Sequence, residues 1–71
     1  MLTLELPETW LHHPVQYMVY DAAGRLMWQN ANTPDERIFI LRPPSENWPV
    51  GVYRLVLKGE KGLKTQALIQ R

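Results

Sequence analysis

The chain has 71 residues, eight of them basic and seven acidic for a formal charge of +1, and no cysteine. That length allows one small domain, which buries only about 60% of the surface its unfolded chain exposes and keeps a few kcal/mol of stability. Disulfides, thiolate metal sites and cysteine nucleophiles are excluded, and the dispersed, near-neutral charge lacks the basic footprint of a nucleic-acid binder.

The first ten residues carry Glu5 and neither a basic leader nor a continuous apolar stretch, so they do not read as a secretion signal. The longest uninterrupted apolar run, Ile38–Leu41, is far shorter than the ~20 residues a membrane-spanning helix needs, and no transmembrane segment is expected. Leu2, Leu4 and Leu6 alternate with Thr3 and Glu5, which predicts a short strand stopped by Pro7. Residues 8–14 form a connector with Trp10, Leu11, His12 and His13, and Pro14 biases His13 towards extended geometry.

A second strand follows, with Val15, Tyr17 and Val19 on one face and Gln16, Met18 and Tyr20 on the other. Asp21-Ala22-Ala23-Gly24 supplies an acceptor at the first turn position and a residue without Cβ at the last, the chemistry of a type I turn closed by a left-handed glycine. Residues 25–30 then run back as the other arm of a hairpin, with Leu26 and Trp28 expected on one face and Met27 on the other. Asn32, Thr33 and Pro34 mark a turn. Residues 36–42 predict a further strand with Ile38 and Ile40 opposite Phe39 and Leu41. Both of its faces are apolar, the pattern of a strand in the middle of a sheet with a covered second face.

Pro43 and Pro44 remove consecutive donors and predict a crossing loop. The next strand spans residues 52–58, with Tyr53, Leu55 and Leu57 on one face and Arg54 and Lys58 on the other. Gly59-Glu60-Lys61-Gly62 reads as a hairpin loop, and residues 63–71 return with Leu63, Thr65, Ala67 and Ile69 opposite Lys64, Gln66 and Gln70. A helical period is sustained nowhere, so little or no helix is expected. About six to seven short strands at close spacing predict an all-β chain folded as a small antiparallel sandwich.

No residue set reads as a reaction centre. His12 and His13 are adjacent and face opposite ways on an extended chain, without the further ligands a metal needs. Tyr20, Asp21 and Arg25 lack a nucleophile, base and orienter arrangement, and there is no phosphate-binding glycine loop, so neither enzymatic activity nor a cofactor is expected. Trp10, Trp28 and Trp48 are read as core packing, with a sugar-stacking platform as the alternative.

Three motifs in order carry a family resemblance. VYDAAGRL, WPVGVYRLVL and the terminal GEKG hairpin with KTQALIQR look like the C-terminal sorting domain of proteins exported by the type IX secretion system, the Por secretion tail. Val19, Tyr20, Asp21, Gly24 and Arg25 fit its first motif; Pro49, Gly51, Val52 and Tyr53 fit its second; Lys64, Ile69 and Arg71 approximate its third. Trp48 stands where that family usually has leucine, Ala67 where a basic residue is common, and the connector before Trp48 is longer. The resemblance implies an immunoglobulin-like sandwich at the end of a longer precursor, brought to the surface of a Gram-negative bacterium through the periplasm. Its implied partners are the outer-membrane translocation machinery and the surface sortase complex. The alternative implied is a retained cell-surface or sortase-complex domain that binds lipopolysaccharide or carbohydrate.

The residue pattern adds a candidate recognition element. A terminal strand at a sandwich edge offers unpaired backbone groups for strand addition, with Lys64, Gln66, Ile69, Gln70 and Arg71 as side-chain readout.

Overall fold

A computed structural model describes residues 2–70 and shows an all-β chain of six strands. They are β1 (Leu2–Glu5), β2 (Val15–Tyr20), β3 (Leu26–Asn32), β4 (Ile38–Leu41), β5 (Gly51–Gly59) and β6 (Gly62–Gln70). Two single 3-10 turns, Glu8–Trp10 and Ser45–Asn47, sit in the connectors. β1 and β4 form one antiparallel sheet and β3-β2-β5-β6 the other, a small sandwich with a two-stranded and a four-stranded layer. The chain changes sheets between β1 and β2, between β3 and β4, and between β4 and β5.

The core follows from alternation on each strand. Val15, Tyr17 and Val19 of β2 and Tyr53, Leu55 and Leu57 of β5 are buried on the inner face, because the β2–β5 register sets Val19 against Leu55 and Tyr17 against Leu57. Leu4 and Leu41 meet them from the smaller sheet, joined by Leu6 just past β1, whose N–H donates to the Arg37 carbonyl at 2.7 Å. Tyr17 bridges the layers: its ring stacks on Phe39 with centroids 5.3 Å apart, and its hydroxyl donates to Asn32 Oδ1 at 2.8 Å. Burial pushes the Tyr17 phenol above its ordinary pKa, with the Asn32 bond opposing.

Trp10 closes one end of the core. Its indole lies on the backbone of Gly59 so tightly that a Cβ there would sit 3.3 Å from the ring, which explains a glycine at the end of β5. The connector carrying it is held by the His12 N–H bonded to the Pro34 carbonyl at 2.8 Å and by His13 Nδ1 paired with Glu60 at 3.4 Å.

Two expectations are corrected. The strand expected over 36–42 in mid-sheet is shorter and pairs only with β1, so its second apolar face stays open, with Ile38 61% and Ile40 49% exposed. The register sets these two opposite Glu5 and Thr3 while Phe39 and Leu41 turn inward, so one apolar face is core and the other surface. Leu26 and Trp28 do not share a face either. The register shifts between Val19, opposite Trp28, and Tyr20, opposite Leu26; a bulge at Met27 turns Trp28 onto the core and leaves Leu26 outside.

Candidate functional site

The turn joining β2 and β3 is built by Asp21. Its Oδ1 accepts from the Ala23 N–H at 3.0 Å and the Arg25 N–H at 2.8 Å, and its Oδ2 accepts from Arg25 Nε at 2.8 Å. The Arg25 backbone bond, and after it the guanidinium bond, hold the Asp21 carboxyl below the ordinary carboxylate range. Gly24 takes φ +85°, as the turn chemistry requires, and its N–H donates to the Asp21 carbonyl at 3.0 Å. Val19, Tyr20, Asp21, Gly24 and Arg25 therefore form one hairpin end, with Val19 in the core and Arg25 in solvent.

Pro49, Gly51, Val52 and Tyr53 lead into β5. The Tyr53 hydroxyl reaches back to the Pro49 carbonyl and its ring meets Trp48 at a centroid distance of 5.3 Å, so this segment is pinned to the core. A tyrosine bonding its own upstream backbone is a corner device of immunoglobulin-type sandwiches. Val52 points the other way and is exposed.

β6 ends the four-stranded sheet and pairs with β5 through all nine of its residues on one side only. The two-residue loop Glu60-Lys61 makes Gly59 and Gly62 the hydrogen-bonded closing pair. Alternation along an antiparallel ladder then directs the backbone of Lys64, Gln66, Leu68 and Gln70 to β5 and that of Leu63, Thr65, Ala67 and Ile69 outward. Of the expected recognition residues among those described, only Ile69 belongs to this outward set. Lys64, Gln66 and Gln70 lie on the opposite face from Ile69, with Lys64 and Gln66 exposed and Gln70 half-buried. Arg71 lies outside the described residues.

Leu63, Thr65 and Ala67 are thus edge residues that sequence reasoning missed, although the spacing of Gly59 and Gly62 held the signal. The other sheet edge, β3, differs. It is bulged at Met27, and Asn30 Oδ1 accepts from the Ala31 N–H at 2.8 Å, which blunts it against pairing. β6 has no proline and no register shift, and Lys64 is its single charge.

The three indoles do not form an exposed platform. Trp10 is buried, and Trp28 and Trp48 are half-buried against the core. Among the described residues no helix is long and apolar enough to cross a membrane. Compared with protein-family models, curated proteins and solved structures, the chain matches none.

Proposed function

We propose that this chain is a sorting domain of the type IX secretion kind, read by its export machinery through strand addition at β6. The carrying observation is the contrast between the two edges of the larger sheet among the described residues: β3 bulged and capped, β6 without a register shift, nearly uncharged, and with the backbone of Leu63, Thr65, Ala67 and Ile69 directed outward. Natural sandwiches blunt such edges, and an edge left unblunted is a template for a partner strand. The three motifs of the resemblance support the same reading from another side, since the first makes the β2–β3 turn, the second anchors β5 and the third is β6 itself. A retained domain that grips glycan or lipopolysaccharide with its tryptophans has less support, because the indoles lie on the core.

The outer-membrane translocon and the surface sortase complex are the partners this reading entails, with passage through the periplasm to the cell surface. Fused behind a signal peptide and a fluorescent reporter in a type IX-competent strain, the chain is expected to deliver the reporter to the surface. A folded fusion that stays in the periplasm refutes the assignment.

A further inference from the structure

The outward face of the larger sheet carries large exposed apolar side chains among its polar ones. Val52 is 57% exposed, Leu63 62% and Ile69 64%, and the register sets Val52 beside Ile69 and Lys58 beside Leu63 on that face. Where the β2–β3 turn overhangs β5 and β6, the face hollows into an open concavity of about 640 Å³ walled by Tyr20, Val52, Val56 and Ala67. Arg54 stands in it, flanked by Tyr20 on β2 and Ala67 on β6.

The charge on this face that has no ion-pair partner among the described residues has one sign. Arg54 and Lys58 both project from β5 onto it, and neither enters an ion pair among the described residues. The acid lining the hollow, Asp21, has its carboxylate committed to Arg25 and the turn backbone. An unneutralised guanidinium among apolar walls suits a carboxylate joined to apolar groups, because the fork pairs bidentately while Val52, Val56 and Ala67 take the apolar side. A second copy of the same face offers only more cations, so it is the wrong occupant.

We infer that this hollow is a docking site for an extended acidic and apolar segment of a partner protein, with Arg54 pairing a carboxylate. It shares Ala67 with the β6 edge, whereas Arg54 stands on β5 away from that edge, so the Arg54→Glu arm separates this docking site from strand addition at β6.

The test is a fluorescence anisotropy titration of the 71-residue chain with a labelled nonapeptide of alternating glutamate and valine or leucine. Its controls are a scrambled peptide of equal composition, a lysine-for-glutamate peptide and phosphatidylglycerol vesicles. Saturable binding of the alternating peptide is expected, weaker by about tenfold or more in Arg54→Glu. Ala67→Glu, at an exposed position, should weaken it likewise, so the result does not hang on one variant's folding. Ile40→Thr, on the other sheet, should leave it unchanged. Absence of saturable binding, equal binding of the scrambled or lysine peptide, indifference to both charge variants, or binding confined to vesicles each overturns the inference.

Discussion

Gly24 occupies open space, with nothing within 4 Å of where a Cβ would sit, so the cost of a side chain there is purely that of φ +85°. Gly24→Val is expected to cost about 1–2 kcal/mol and, in a domain this small, to lower the Tm by about 4 °C or more. An unchanged thermal melt removes the turn's role. Asp21 carries a pH signature in the same turn. Because its folded carboxyl titrates below the unfolded value, its contribution is fully present above the unfolded pKa of about 4 and is lost as the pH falls through the folded one. Denaturant melts should show the stability gap between the protein and Asp21→Asn closing on acidification below about pH 4; a gap constant to lower pH contradicts the assignment. Tyr17 runs in the opposite sense. Its raised phenol favours the fold fully below the unfolded pKa of about 10, and that contribution is lost as the pH rises through the folded value. Tyr17→Phe should cost about 1 kcal/mol at neutral pH by leaving Asn32 without its donor, and should flatten the alkaline arm of the stability profile.

At the scale of elements, patterning is readable while facing depends on register. The hairpin of β2 and β3 and the inner face of β5 appear in the sequence as plain alternation, because Val15, Tyr17, Val19, Tyr53, Leu55 and Leu57 all face one core. The Met27 bulge is not readable in that way, since a single extra residue reverses the side of Leu26 without altering composition. The open face of β4 is hidden for a related reason: two isoleucines on a surface look the same in sequence as two under cover. The hairpin of β5 and β6 depends on a contact far away in the chain, the Trp10 indole over Gly59. Gly59→Val should push that ring off and cost about 1–3 kcal/mol by overpacking. A variant as stable as the parent in urea would show that the indole moves freely.

For the molecule as a whole, the larger sheet has one guarded and one open edge, and the smaller sheet covers only its inner face. The candidate recognition strand was legible as an element, and its residues less so, because the side chains of Lys64 and Gln66 draw attention while the backbone beside them is already bonded to β5. The groups available to a partner belong to Leu63, Thr65, Ala67 and Ile69, residues with little side-chain chemistry. Replacing an outward N–H by proline separates this edge from the fold, since edge strands tolerate proline where the missing donor faces solvent. The decisive measurement is surface delivery of a reporter fused to the chain carrying Thr65→Pro, with folding verified by its thermal melt. Delivery should fall to the level of a reporter without the domain, whereas normal delivery by the folded variant would contradict recognition through the β6 edge.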